Sequence, residues 1–309
     1  MSKKEKTNFN KKISKEDVDK YISISSDFAF ELKAFNKLHE LESKYSGQCE
    51  YQHSGTYTDT ITGRSREFDI RFSIQSSKYK VIFAIECKNI DSELRPLVAH
   101  CVKRTEKEAY HHAIENRYST VNGIQKMRST GYVRVSKLTE NSIYGHSSNR
   151  IVCKSLNQVW KKQENNKDVT GKVVANDGEI YDKWAQAVSS AHDILNQECY
   201  QLSKSDSDLD CQTVIIPILV VPDNSIYKVV FDETGNVKGD SEIVEYISYF
   251  LGTELKIDTT RLKHNGEADQ PSYTLSHLEV VSLNKLHNII EAIYKCLHDI
   301  ELGVNKKFS

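Results

Sequence analysis

Apolar and polar positions along this chain switch between a helical and a strand period. Over residues 26–45, Phe28, Leu32, Phe35, Leu38, Leu41 and Tyr45 gather on one face at about 100° per residue. The pattern predicts an amphipathic helix with Ser25 or Ser26 as its N-cap. Glu31 falls on the same face, whereas Lys33, Lys37 and Glu40 lie opposite. From Gln48 to Phe72 the pattern becomes that of strands, with a turn through Asp59 and Gly63. Residues 66–74 and 79–88 predict an antiparallel pair joined by Gln75-Ser76-Ser77-Lys78. The second strand holds five apolar residues in a row, Val81 to Ile85, as expected of a strand buried on both faces.

Further along, residues 104–117 read as a helix and 118–178 as a polar insertion of weak periodicity. Residues 181–197 predict a helix with Trp184, Ala187, Val188, Ala191, Ile194 and Leu195 on one face. Residues 214–221 form a buried strand, broken or edged by Pro217, with 226–232 as its expected partner. A closing helix covers 283–302. The order helix, three strands, helix, buried strand predicts an α/β fold with a mixed central sheet, an insertion at about 118–178 and a C-terminal strand and helix extension. One domain over 21–309 would follow a flexible, Lys-rich tail at 1–20.

Composition narrows the function classes only slightly. The net charge of −1 means that nucleic-acid contacts would come from local basic patches and not from the mean field. The seven cysteines are scattered and form no Cys-x-x-Cys, which argues against a disulfide scaffold or a structural zinc site and for reduced, cytoplasmic thiols. No apolar run approaches the roughly 18 residues of a membrane span.

The charge that interrupts the pattern carries more. The run Val81–Ile85 ends in Glu86-Cys87-Lys88, and the strand before it carries Asp69. Residues i and i+2 of a strand point to one side, so Glu86 and Lys88 would share a face. Asp69 offers a second carboxylate from the neighbouring strand, and Glu31 a third from the helix. Carboxylates gathered at one point repel, and a hard divalent cation relieves that repulsion. Such a cation polarises a phosphoryl oxygen and acidifies a coordinated water. A neighbouring lysine can orient that water or offset charge in the transition state. These residue types suit metal-assisted phosphodiester hydrolysis.

Helix Glu31, Asp69 and Glu86-x-Lys88 resemble the PD-(D/E)xK nuclease superfamily, whose restriction-endonuclease-like core is αβββαβ. The resemblance spans about residues 26–90, with the 181–197 helix and the 214–221 strand as its completion. It implies an Mg²⁺-dependent nuclease in which Mn²⁺ can substitute. Asp69 and Glu86 would be metal ligands, Glu31 a metal-side accessory and Lys88 the residue that orients water or faces the transition state. The position before Asp69 is Phe68 where the nominal motif has Pro, and the Gln-x-x-x-Tyr element of one exonuclease-like branch is absent, Gln186 being followed by Ser190. Arg66 and Arg104 are candidates for contacts to the nucleic-acid backbone. His111 and His112 read as core or surface histidines.

The implied activity is a cytoplasmic endonuclease acting on double-stranded DNA in restriction or another anti-invader role, with a homodimer or a defence-system protein as partner. Two alternatives stay open. One is a catalytically inactive module that binds nucleic acid or protein, and the other an RNase or repair nuclease using the same residues.

Overall fold

The computed structural model describes residues 12–45, 47–59, 62–105, 108, 110–116, 119–121, 124–126, 133–139, 151–161, 173–176, 178–204, 211–258 and 272–301. Helix α1 (Lys15–Ser25) occupies part of the expected tail, whose residues 1–11 lie outside the described set. It is closed by a capping box in which Ser14 and Asp17 satisfy each other's backbone N–H groups. Ser26 then caps α2 (Asp27–Lys44), its hydroxyl accepting from the Ala29 N–H at 3.1 Å.

Strands β1 (Cys49–Thr58), β2 (Ser65–Gln75) and β3 (Tyr79–Cys87) form an antiparallel meander. Next come β4 (Leu97–Lys103), β5 (Tyr110–Asn116), β6 (Ser119–Val121), β7 (Ile124–Lys126), β8 (Val133–Thr139), β9 (Ile151–Lys161) and β10 (Val173–Asn176). The long helix α3 (Gly178–Lys204) leads into β11 (Gln212–Val221), and β12 (Ile226–Val230), β13 (Glu242–Val244), β14 (Tyr246–Lys256), β15 (Ser272–Ser282) and α4 (Leu283–Glu301) complete the order. A thirteen-stranded mixed sheet runs β1-β2-β3-β11-β15-β14-β9-β4-β12-β13, with β10 beside β9, β5 beside β11 and β8 beside β5. The architecture is therefore α/β with a mixed central sheet.

The sheet centre is buried from both sides. β11 runs parallel to β3 from Gln212↔Tyr79 to Val220↔Cys87. One face, with Phe72, Phe83, Ile85 and Ile216, packs against Phe30, Ala34, Leu38 and Leu41 of α2 and Leu286 and Ile290 of α4. The other face, with Ile82, Ala84 and Ile215, packs against Ala191, Ile194 and Leu195 of α3. Burial on both faces explains the unbroken apolar runs in β3 and β11.

Pro217 does not break β11. The N–H groups of Gln212 and Lys88 bond across the β3–β11 seam, which directs the odd-numbered nitrogens of β11 to its other edge. That edge is taken by β5 up to Val214 and by β15 from Ile218, so Pro217 falls in the gap where no ladder bond is required. In the same gap the Ile215 N–H donates to the Tyr273 hydroxyl at 3.3 Å.

Three local expectations are corrected. Within the helix read over 104–117, residues 110–116 are strand β5, which pairs with both β8 and β11; long-range pairing outweighs the local helical pattern. Residues 226–232 do not pair with β11, whose edges are already filled; β12 pairs in parallel with β4 and antiparallel with β13. On α2 the buried stripe is Phe30, Ala34, Leu38 and Leu41, whereas Phe28 and Leu32 are exposed. Glu31 therefore lies on the shoulder of the apolar face. Within the expected insertion the described residues form β6 to β10. No described helix is long and apolar enough to cross a membrane.

Gly55 sets how closely β1 lies over β2. A Cβ built at Gly55 would stand 2.3 Å from the Phe68 ring, over which the Arg71 guanidinium lies at 4.1 Å. Gly55→Ala should cost about 1–3 kcal/mol by overpacking. Chemical denaturation checks it: the midpoint falls, and adding Phe68→Leu recovers most of the loss. A midpoint unchanged in the single variant contradicts the packing described.

Candidate functional site

At the end of β3 the β2–β3 ladder opens. Its last pair is Ile70↔Ile85, and one further step of the same register sets Asp69 opposite Glu86. The strand ends splay there, and the side chain of Asp69 takes the place of a backbone acceptor. Its Oδ2 accepts the Cys87 N–H at 2.7 Å. Alternation puts Asp69 on the same side as Arg71, which donates to Ser190 and Asp193 of α3 at 3.2 and 2.8 Å. Glu86 shares its side with Ala84 and Ile82, which also pack on α3. Both carboxylates thus face the long helix.

The ammonium between them comes from that helix. Lys183 Nζ lies 3.3 and 3.1 Å from the two oxygens of Asp69 and 3.2 Å from Glu86 Oε2. Glu86 is fully buried, and its Oε1 has no hydrogen-bond partner among the described residues. Burial, followed by the charge of Asp69, pushes the Glu86 carboxyl up to about 8 against the pull of Lys183. Burial acts to lower the Lys183 ammonium, but Glu86 and Asp69 together outweigh it and raise it above the ordinary lysine value. Cys87, between Glu86 and Lys88 in sequence, is a core thiol held well above its ordinary pKa by burial.

Glu31 approaches from α2, in the other helical layer. At Ser54, opposite Asp69 in the β1–β2 register, the backbone takes φ +51°, a left-handed conformation uncommon for serine. The Ser54 hydroxyl donates to Glu31 Oε1 at 2.9 Å, and His53 Nε2 lies 2.8 Å from the same oxygen. The His53 ring stacks on Phe35, one helical turn after Glu31, at 4.6 Å and 23°. Burial and then the Asp69 charge raise the Glu31 carboxyl above its ordinary pKa, which ties Glu31 electrostatically to the site.

The expected shared face of Glu86 and Lys88 is not found: Lys88 lies just past the end of β3, where strand alternation no longer holds, and its ammonium turns to α2 while Glu86 faces α3. Lys88 Nζ stands 3.3 Å from Asp27 Oδ2, and Asp27 Oδ1 accepts the Asn89 N–H at 3.1 Å. The first residue of α2 is thereby tied to the chain leaving β3. Arg66 is engaged with Asp59, its Nε 2.6 Å from Oδ2. Arg104 follows β4, and its charge adds to the burial that drives His277 down to about 3. His111 and His112 lie on strand β5, where His111 is buried and His112 accepts the Thr274 N–H at 2.7 Å.

The structure therefore brings Glu31, Asp69 and Glu86 into one electrostatic neighbourhood and adds Lys183, which sequence reasoning missed. A signal for it exists: Lys183 is aligned at i, i+4 and i+8 with the buried Ala187 and Ala191, so it is a charge at the head of an apolar stripe. Among the described residues no group of three or more His, Cys, Asp or Glu side chains is spaced to hold a metal ion alone. Mg²⁺ commonly takes one or two carboxylates and completes its shell with water and phosphate oxygens. Two adjacent carboxylates with one buried, unpartnered oxygen fit that pattern.

Comparison with family models, with curated proteins and with solved structures finds no match to this chain.

Glu86 also sets a pH dependence. In the unfolded chain it titrates near its ordinary 4.5, and in the fold near 8. As pH rises, the unfolded state gives up this proton first, so the stabilisation from neutral Glu86 is complete below 4.5 and is lost towards 8. In EDTA, the unfolding free energy of the wild type should fall across that window more steeply than that of Glu86→Gln. Parallel curves would show that Glu86 is not shifted.

Proposed function

We propose that the chain is a metal-dependent phosphodiesterase, an endonuclease of the PD-(D/E)xK kind with a restriction-endonuclease-like core. The observation that carries the reading is the juxtaposition of Asp69 and Glu86 at the splayed end of two adjacent strands, on one side of the sheet, around an ammonium. The element order supports it as well. Helix α2, the β1–β2–β3 meander, α3 and then β11, parallel to β3, follow the αβββαβ order implied by the motif, with α2 and α3 on opposite faces.

Asp69 and Glu86 would hold the divalent cation, Mg²⁺ or Mn²⁺, with Glu31 beside them as an accessory carboxylate. When bound, such an ion polarises the phosphoryl oxygen and acidifies a water. The chain's own groups do the rest. The buried wall of β3 and β11 keeps Glu86 in a low-dielectric setting, where each charge acts strongly. The Asp69–Cys87 hydrogen bond fixes one carboxylate against the backbone, so its geometry is set before substrate arrives. Lys88 and Lys183 supply positive charge on two sides of this strand end, available to orient water or to face the negative oxygens of a phosphodiester. Hydrolysis then adds water oxygen to phosphorus and releases one ester oxygen.

The site chemistry serves DNA and RNA alike. Double-stranded DNA as substrate, and an anti-invader role with a homodimeric or defence-system partner, follow from the motif resemblance. Arg66 and Arg104 remain the candidates for backbone contacts.

Incubation with plasmid DNA and with RNA, in Mg²⁺ and in EDTA, tests the activity. Wild type should cut in Mg²⁺ only. Asp69→Asn, Glu86→Gln and Lys88→Ala should each lose about 100-fold or more, the scale of removing one group from a preorganised site. Discrete plasmid bands would indicate sequence specificity. No cleavage of either nucleic acid by wild type, or equal cleavage by the variants, removes the catalytic reading.

A further inference from the structure

The cation between Asp69 and Glu86 belongs to the protein. Lys183 Nζ contacts both oxygens of Asp69 and one of Glu86, all within 3.3 Å, while Glu86 Oε1 keeps no partner among the described residues. Its side chain is 20% exposed, against 13% for Asp69 and 0% for Glu86, so Lys183 is the most open of the three side chains. With both carboxylates ionised, as a bound divalent cation would require, one ammonium leaves the group one positive charge short of neutrality. Lys88, with Asp27 beside its ammonium at 3.3 Å, belongs to the other helical layer.

We propose that Lys183 is a resident counter-ion that exchanges with the divalent cation. It holds Asp69 and Glu86 together when no metal is bound and withdraws from between them when one arrives. This rests on the reading of those two residues as divalent-cation ligands. A small divalent ion needs its oxygens at about 2.0–2.1 Å and in near-octahedral array, so it cannot share the point now taken by the ammonium. Lysine suits such an exchange because its charge rides on a flexible four-carbon stem and can move while the helix stays in place. The small Ala187 and Ala191 that follow it keep α3 close against the sheet whichever position the ammonium takes.

A permanent structural ion pair would show the same contacts, and metal binding without nucleic acid separates the two. Lys183→Met removes the charge and keeps the stem; Lys183→Arg keeps the charge. Mn²⁺ titration calorimetry should give a dissociation constant for Lys183→Met lower than that of wild type by about tenfold or more, the scale on which one neighbouring charge shifts an ionic equilibrium. Lys183→Arg should bind no tighter than wild type, and Glu86→Gln added to Lys183→Met should abolish the gain. Melting gives a second readout: in EDTA Lys183→Met should melt below wild type, and Mn²⁺ should raise its Tm by more than it raises that of wild type. If Lys183→Met and wild type bind Mn²⁺ equally, the exchange is wrong while the metal-ligand reading stands. If neither binds, both fall together.

Discussion

Two carboxylates gathered at a largely buried strand end constrain much of what surrounds them. Moving an ionised carboxylate out of water costs several kcal/mol, and two together cost more unless something positive meets them. Here the compensation comes from three directions. The Cys87 N–H reaches Asp69, Lys183 reaches both carboxylates, and Glu86 is pushed up to about 8, which makes its neutral form accessible. Each of these needs a specific element in place. The ladder must open after Ile70↔Ile85, α3 must lie close to the sheet, and β11 must close the far side of β3.

The same constraint accounts for features that look incidental one at a time. Gly55 admits the Phe68 ring beneath β1, next to Asp69. Ser54 takes a left-handed conformation opposite Asp69, and its hydroxyl reaches Glu31. Asp27 ties the start of α2 to the chain just past β3. Buried charge is tolerated at this end of the sheet because neighbouring backbone and side chains answer it.

Much of this was legible in the sequence. The unbroken run from Val81 to Ile85 and the nine buried residues of β11 follow from burial on both faces, and that pattern survives any detail of packing. Asp69 and Glu86 were legible because carboxylates within or at the end of a buried apolar strand are uncommon. Lys183 was not singled out, because a lysine near a helix start reads as solvated until the facing sheet is known. Its spacing from Ala187 and Ala191 is present in the sequence, but the carboxylates it meets are known only once α3 is docked. Strand β5 was misread as a helix because its pairing with β8 and β11 comes from residues distant in sequence. The position of Glu31 was half legible: its helix was clear, but the buried stripe ran through Phe30 and Ala34 and left Glu31 on the shoulder.

The proposed site turns on whether Asp69 and Glu86 together seat a divalent cation. Crystals soaked in Mn²⁺ and measured at a wavelength where manganese scatters anomalously test it most directly. One strong anomalous peak is expected between the carboxylates of Asp69 and Glu86, with the Lys183 ammonium displaced from its present contacts. Carboxylates still bridged by Lys183, with no anomalous peak between them at millimolar Mn²⁺, would contradict the proposed site.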